Sequence, residues 1–90
     1  MEQISKAQLE QRVKELLSDE LSVSFDRIDL FSDFANDLGA DSLDVLEIVV
    51  RMEEELVISI SNVERRKMRI VNDLYKICFQ KLDKQGRIQS

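Results

Sequence analysis

The apolar residues of this chain follow a helical period in three stretches and lose it in a fourth. The first stretch, from about Lys6 to about Glu20, has Ser5 as a candidate N-cap. Its apolar residues form one stripe at helical spacing: Leu9, Val13, Leu16, Leu17 and Leu21. A helix from about Val71 to about Leu82 places a second set on one face: Val71, Leu74, Tyr75, Cys78 and Leu82. Each pattern predicts an amphipathic helix that buries one side.

The stretch from Ser42 to Leu56 differs because it carries two apolar stripes. Asp41 is a good N-cap, and Asp44 stands three residues on, where a capping box needs it. One arc, the predicted core face, holds Val45, Ile48, Val49, Met52 and Leu56. The opposite arc holds Leu43, Leu46 and Val50, beside Glu47, Arg51 and Glu54. A surface helix needs only one stripe, so the second predicts contact with a partner, a bound ligand or another part of the chain.

Residues 22–40 show no period and predict a long loop, with a short helical turn compatible around Asp33–Asn36. Its apolar residues are expected to pin it across the core: Val23, Phe25, Ile28, Leu30, Phe31, Phe34 and Leu38. Residues Val57–Ile60 predict an extended connector, and residues 62–68 a brief helix capped by Ser61 or Asn62. The polar end, residues 83–90, is predicted to be frayed.

Length and composition favour an all-α domain. Ninety residues are enough for one small domain and too few for two, so residues 1–90 are expected to form one unit, with its core within about 6–82 and a polar tail at 83–90. The chain has no proline, two glycines and few aromatic residues. A sandwich or barrel would need many more turn residues. The expected fold is therefore a small four-helix bundle: three main helices, a short third helix, and a long loop between the first two.

The net charge of −5 is divided unevenly along the chain. Residues 1–56 hold 15 acidic and 5 basic side chains, a balance of −10, whereas residues 57–90 hold 3 acidic and 8 basic ones, a balance of +5. The acidic front half repels nucleic acid and steers basic protein partners toward it. Cys78 is the only cysteine and histidine is absent, which excludes an intramolecular disulfide and a soft-ligand metal site.

Several further functions are excluded or disfavoured by the residues present. The four aspartates of the long loop lack the spacing and the glycine of an EF-hand, so no metal site is expected there: Asp26, Asp29, Asp33 and Asp37. No apolar run approaches the length of a membrane span. No secretory signal is expected, because the first residues lack a long apolar run, and the single cysteine fits a reducing compartment; the expected location is cytoplasmic.

Ser42 is predicted to be the first residue of the second helix. A catalytic serine needs a nearby base, usually histidine, so a hydrolase is disfavoured and no enzyme activity is expected. The residues alone leave two interpretations open: an ordinary helix-start serine, or a serine that carries a covalent phosphate-linked group. A helix start favours an anion by about 0.3–1 kcal/mol, because free N–H groups and the macrodipole point at it.

The sequence around Ser42 resembles the acyl carrier proteins of the fatty-acid-synthesis type. The resemblance rests on the eight-residue context DLGADSLD at positions 37–44, on Glu47, and on the acidic segment 53–56. It extends to Asp33-Phe34 before the motif, to residues 58–60 after the second helix and to residues 71–74 at the last helix. It covers most of residues 6–82.

The resemblance implies a four-helix carrier with 4′-phosphopantetheine joined to Ser42, between Asp41 and Leu43. A separate phosphopantetheinyl transferase would install the group from coenzyme A with magnesium, and its thiol would hold acyl groups as thioesters. Acyl-transfer, condensing and reducing enzymes with basic docking patches would meet the carrier, expected to be a monomer, at Asp41, Leu43, Asp44, Leu46, Glu47, Val50 and Glu54. The acyl chain would enter the core near Val45, Leu46 and Ile60.

Two features depart from the family pattern. Residues 62–69 are basic and proline-free where the family's third helix is usually acidic, and Arg51 stands where a small or neutral residue is usual. A pairing of Arg51 with Glu47 or Glu55 at helical spacing would account for the second. The alternatives are therefore a specialised carrier for polyketide, peptide or dedicated lipid assembly and, in a different class, an unmodified helical adaptor.

Overall fold

The computed structural model describes residues 2–89 and is built from four helices. They are α1 (Lys6–Leu21), α2 (Ser42–Leu56), α3 (Asn62–Arg66) and α4 (Val71–Lys84). A 3-10 turn (Phe25–Arg27) lies in the long loop between α1 and α2. The predicted all-α four-helix bundle is confirmed, and none of the helices in residues 2–89 is long and apolar enough to cross a membrane.

The core lies where α1 packs against α2 and α4. The predicted faces of these three helices supply its largest fully buried side chains: Leu9, Val13, Leu17, Ile48, Met52, Val71, Leu74, Cys78 and Leu82. Burial raises the pKa of the Cys78 thiol to about 12, which leaves it protonated and inert at neutral pH. Cys78 is therefore the small core hydrophobe that its position on α4 predicts.

The long loop is fixed to the core at only some of the predicted positions. Its buried apolar side chains are Ile28, Phe34, Leu38 and Ala40. The expectation was wrong for Phe25 and Phe31, which are 41% and 78% exposed. These two side chains lie on the outer side of the loop and do not pack against the core.

A turn in this loop has the hydrogen bonds of a helical turn. The Asp37 and Gly39 N–H groups donate to the carbonyls of Asp33 and Ala35, four residues back. The Asp33 carboxylate accepts from Ala35 and Asn36, and these bonds lower its pKa, with the Asn36 N–H the largest cause. The loop's acidic side chains thus satisfy its own backbone.

The C-terminal segment is docked, so the prediction of a frayed tail was wrong through residue 89; Ser90 lies outside the described residues. Gly86 adopts a left-handed conformation (φ +69°) that reverses the chain after α4. Strand β2 (Ile88–Gln89) then pairs in parallel with β1 (Ile4–Ser5). Backbone hydrogen bonds hold this segment, among them the one from the Ile4 N–H to the Arg87 carbonyl at 2.8 Å. The polar side chains of the segment therefore gave no sign that it is docked.

Arg87 is the main side-chain contact of this segment. Only 9% of it is exposed, and its guanidinium donates to the Leu56 carbonyl at 2.6 Å and to the Gln85 side chain at 2.8 Å. The Leu56 carbonyl is one of those at the end of α2 with no partner inside the helix. Arg87 therefore closes the C-terminal end of α2.

Candidate functional site

The start of α2 is set by a reciprocal cap. The Asp41 carboxylate accepts from the Asp44 N–H at 2.8 Å, and the Asp44 carboxylate accepts from the Asp41 N–H at 3.0 Å. The chain reaches the cap through Gly39 (φ +69°) and the buried Ala40, whose N–H donates to the Phe34 carbonyl at 2.8 Å. The capping box predicted at Asp41 and Asp44 is confirmed, as is the start of the helix at Ser42.

Ser42 is the first residue of α2, and its side chain is exposed. Within residues 2–89 its hydroxyl takes part in no hydrogen bond, because Asp41 and Asp44 satisfy the cap between themselves. The first N–H groups of a helix have no partner in the helix and favour an anionic group nearby. An exposed, unbonded hydroxyl at this place fits a phosphodiester-linked group.

The two stripes of α2 have separate surroundings. Ile48, Val49, Met52 and Leu56 are buried and Val45 is half-buried against the core, which confirms the predicted core face. The other stripe is solvent-exposed: Leu43, Leu46 and Val50 are 60%, 40% and 42% exposed. Of the residues expected near an acyl chain, Ile60 is buried with the core and Leu46 lies in the exposed stripe.

Arg51 does not pair along its own helix, so that expectation was wrong. Its guanidinium donates to Asp19 at 2.9 Å and to Glu20 at 3.2 Å, both in the last turn of α1. These contacts raise the pKa of Arg51, with the Asp19 hydrogen bond the largest cause. The end of α1 lies beside α2, which brings Asp19 and Glu20 within reach of Arg51.

The carboxylates near the start of α2 form one acidic group. Hydrogen bonding with the Glu20 carboxyl is the largest cause that raises the pKa of the exposed Glu47, and some loss of hydration and repulsion by Glu20, Asp44 and Asp41 act in the same direction. Sequence reasoning identified the α2 members and missed Glu20 and its neighbour Asp19. Their only signal was a pair of acids at the end of α1.

The structure brings the predicted site residues together in two sets. Asp41, Ser42 and Asp44 form the start of α2. The remaining predicted residues follow the exposed side of the helix toward its other end: Leu43, Leu46, Glu47, Val50 and Glu54. A partner that reaches Ser42 along α2 would therefore contact an apolar stripe with acidic neighbours.

Comparison with known proteins places this site in a family. The model described as "Phosphopantetheine attachment site" matches residues 11–64, a span that includes Ser42. An acyl carrier protein of Clostridium perfringens is 37% identical over 73 residues, which are 81% of this chain and 96% of that protein. One from Cyanidium caldarium is 34% identical over 80 residues, which are 89% of this chain and 93% of that protein.

A solved structure agrees with these relatives. The crystal structure of an acyl carrier protein from Thermotoga maritima matches with a TM-score of 0.78 and 30% identity, covering 89% of this chain and 93% of that one. The likeness to this structure thus extends beyond residues 11–64, the span that the family model matches. On these matches the chain belongs to the acyl carrier protein family, whose phosphopantetheine-binding domain carries covalently attached 4′-phosphopantetheine.

Proposed function

We propose that the hydroxyl of Ser42 is the attachment point of 4′-phosphopantetheine in this chain. The observation that carries the proposal is the exposed, unbonded Ser42 side chain at the start of α2, inside the span matched by the attachment-site family. The attached group supplies a thiol that holds acyl groups as thioesters. A separate transferase would install it from coenzyme A: the Ser42 oxygen would form the new phosphodiester bond, the pyrophosphate bond of coenzyme A would break, and adenosine 3′,5′-bisphosphate would leave.

The residues around Ser42 position the group and take no part in acyl chemistry. The Asp41–Asp44 cap fixes the first turn of α2 without using the serine hydroxyl, so esterification breaks none of the hydrogen bonds among residues 2–89. Leu43 stands next to it, 60% exposed. The chain acts as a carrier, and partner enzymes supply the catalysts for acyl transfer, condensation and reduction.

We assign partner contact to the exposed side of α2. Leu43, Leu46 and Val50 offer apolar area, and the acids beside them attract basic patches: Asp41, Asp44, Glu47 and Glu54. Charges at the rim of such a surface govern the encounter rate more than the affinity. The docked enzyme would then find the acyl group close to the start of the helix.

Fatty acid synthesis is the proposed pathway, with residues 1–90 acting as one cytoplasmic, monomeric carrier. Arg51 does not argue for a specialised carrier, because its ion pairs with Asp19 and Glu20 of α1 account for its presence on α2. The basic segment that contains α3 is the remaining departure. It favours a dedicated set of partners, in fatty acid synthesis or in a specialised lipid or polyketide assembly.

The intact mass after incubation with coenzyme A, magnesium and a broad-specificity phosphopantetheinyl transferase tests the attachment. Wild-type protein should gain one phosphopantetheine, and Ser42→Ala should gain none. Ser59→Ala is the matched control, because Ser59 is exposed and, within residues 2–89, its side chain has no hydrogen bond. This control should be modified like the wild type.

Circular dichroism of Ser42→Ala separates loss of the site from loss of the fold. The variant should keep its helical spectrum, since the Ser42 hydroxyl makes no hydrogen bond in the described part of the chain. A folded wild type that gains no mass would instead support an unmodified helical adaptor. Modification of Ser42→Ala would place the group elsewhere.

A further inference from the structure

The exposed stripe of α2, defined by Leu43, Leu46 and Val50, lies between two neighbouring elements. On one side of α2, Glu55 pairs with Arg12 of α1 at 2.6 Å, one turn beyond Arg51. On the other side, the Glu53 carboxylate accepts from the Ile60 N–H at 2.9 Å, just before α3. These contacts place α1 and α3 on opposite sides of the stripe.

The edge of the stripe toward α1 is acidic. Glu47 and Glu54 are exposed there, seven residues apart and so on one face of α2. Glu20 of α1 lies close enough to Glu47 to raise its pKa. Arg51 adds a cation to this edge, but Asp19 and Glu20 neutralise it. The net charge of the edge is therefore negative.

The edge toward α3 is basic. Residues 61–69 hold four cations, Arg65, Arg66, Lys67 and Arg69, and one acid, Glu64. The Glu64 carboxylate is already engaged, because it accepts from the Ser61 N–H at 2.9 Å and pairs with Lys81 at 3.1 Å.

The cations of the segment are mostly free of carboxylate partners. Within the described part of the chain, Arg65, Arg66 and Lys67 form no ion pair. Arg69 pairs with Asp33 at 3.5 Å and is itself 76% exposed. Arg65, Arg66 and Lys67 therefore present positive charge that no carboxylate among the described residues neutralises.

Helix α3 also offers an apolar contact of its own. Val63 is 58% exposed, and Arg66 and Lys67 follow it at three and four residues, which places them beside it on the helix surface. None of the residues of α3 is buried. An exposed apolar side chain flanked by unpaired cations suits a contact with an apolar, acidic surface.

Hydrogen bonds connect one end of the basic segment to α2 and the other end to the loop that precedes Ser42. The segment begins next to Glu53, near the end of α2, and ends at Arg69, whose carbonyl accepts from the Phe34 N–H at 3.0 Å. The Phe34 carbonyl in turn accepts from Ala40, two residues before Ser42. A partner that lies over the stripe and reaches Ser42 therefore meets both edges.

We infer that this surface is bipolar and selects partner enzymes that carry an acidic patch against α3 beside a basic patch against Glu47 and Glu54. The inference rests on the proposed function, since it concerns enzymes that approach Ser42. Charge complementarity determines the occupant. An anionic membrane would be attracted by α3 but repelled by the acidic edge and by the net charge of −5.

Charge reversal on α3 tests the inference in protein already modified at Ser42. The test variant is Arg66→Glu with Lys67→Glu; the control is Lys76→Glu with Lys84→Glu, which makes the same change of charge at exposed positions of α4. The readout is kcat/KM for acyl loading and condensation by the acyltransferase and condensing enzyme of the organism that encodes this chain. Mass spectrometry first shows that all forms carry phosphopantetheine.

The test variant should lose about tenfold in kcat/KM at low salt, with the difference shrinking at high salt as screening grows. The control should stay close to wild type. Equal losses in both variants, an unchanged rate, or a faster reaction in the test variant would each overturn the inference, the last by showing that the patch facing α3 is basic.

Two further outcomes separate this inference from its alternatives. Wild-type binding to vesicles of phosphatidylglycerol and phosphatidylcholine in equal parts, lost in the test variant, would assign α3 to a membrane surface and overturn the inference. A wild type that takes up no phosphopantetheine would overturn the proposed function and this inference with it. A modified chain with charge-independent kinetics would overturn the inference alone.

Discussion

The two ends of α2 are built in opposite ways. At its start, Asp41 and Asp44 satisfy each other across three residues, and Ser42 is left exposed between them. At its finish, Val57 is forced into a left-handed conformation (φ +55°), and Arg87 closes the end from 31 residues away. One end is complete by itself and open to solvent. The other is strained and held by distant parts of the chain.

This difference suits a carrier. A group attached to Ser42 does not compete with any hydrogen bond that holds the helix, so the chain can accept it without refolding. The opposite end of α2 carries the contacts that hold the helix in place. Arg87 binds the Leu56 carbonyl there, and Glu55 forms an ion pair with Arg12 of α1. Contacts with distant residues therefore hold the C-terminal end of α2, whereas the N-terminal end exposes Ser42 to solvent.

Removal of the Arg87 side chain, which binds the Leu56 carbonyl at the end of α2, should have the largest effect on stability. We expect Arg87→Ala to lower the free energy of unfolding by about 1–3 kcal/mol, because the Leu56 carbonyl loses a buried charged donor. The favourable interaction of a cation with the C-terminal end of α2 is lost as well. Urea unfolding followed by circular dichroism measures the change.

Lys84→Ala is the matched control for charge, since Lys84 is exposed at the end of α4. It should change stability by no more than about 0.5 kcal/mol. If Arg87→Ala lowers the free energy of unfolding by no more than this, the contact of Arg87 with the Leu56 carbonyl does not stabilise the end of α2. Hydrogen exchange at the Ile4 amide, which bonds the Arg87 carbonyl, should also speed up in Arg87→Ala.

Relief of the strain at the same end should have a smaller effect of opposite sign. A β-branched residue in the left-handed region is unfavourable by roughly 1–2 kcal/mol. Val57 is 60% exposed and so little packing is lost on its removal. We expect Val57→Gly to stabilise the protein by about 0.5–1 kcal/mol, after the entropy cost of glycine in the unfolded chain.

Ser22→Gly provides the comparison for Val57→Gly. Ser22 caps the end of α1 with nearly the same conformation (φ +54°), but it is not β-branched. Its gain on thermal or urea unfolding should therefore be the smaller of the two. An equal gain, or a loss at Val57, would show that the strain assigned to the β-branched side chain is absent.

Local features of the fold could be predicted from the sequence. The bounds of α2 are those predicted, and the predicted caps at Asp41 and Ser5 are confirmed. Such features depend on residues three or four apart, which the sequence places together directly. The exposed stripe followed from the same period, and so did the position of Ser42 at a helix start.

Contacts between distant residues could not be predicted in this way. The pairing of Arg51 with Asp19 and Glu20 depends on how α1 lies beside α2, and no helical period encodes that. The docking of Arg87 depends on a single left-handed turn at Gly86 within a polar segment. In both cases a long polar side chain bridges elements that sequence spacing treats as unrelated.

The acidic group at the open end of α2 gives the last and smallest prediction. The raised pKa of Glu47 means that the folded state disfavours its charged form, chiefly through Glu20. Stability from this group is present at low pH and is lost as pH rises from the ordinary glutamate value through the raised one. Glu47→Gln should therefore be slightly more stable than wild type at pH 7, a difference that vanishes below about pH 4.

Glu54→Gln is the control, because Glu54 is exposed on the same face two turns further along α2. Urea unfolding of both variants at the two pH values isolates what the proximity of Glu20 adds to a simple loss of charge. Equal behaviour of the two variants would contradict a specific interaction between the Glu20 and Glu47 carboxyls. A gain confined to Glu47→Gln would show that the open end of α2 keeps an unfavourable carboxylate where basic partners are expected to dock.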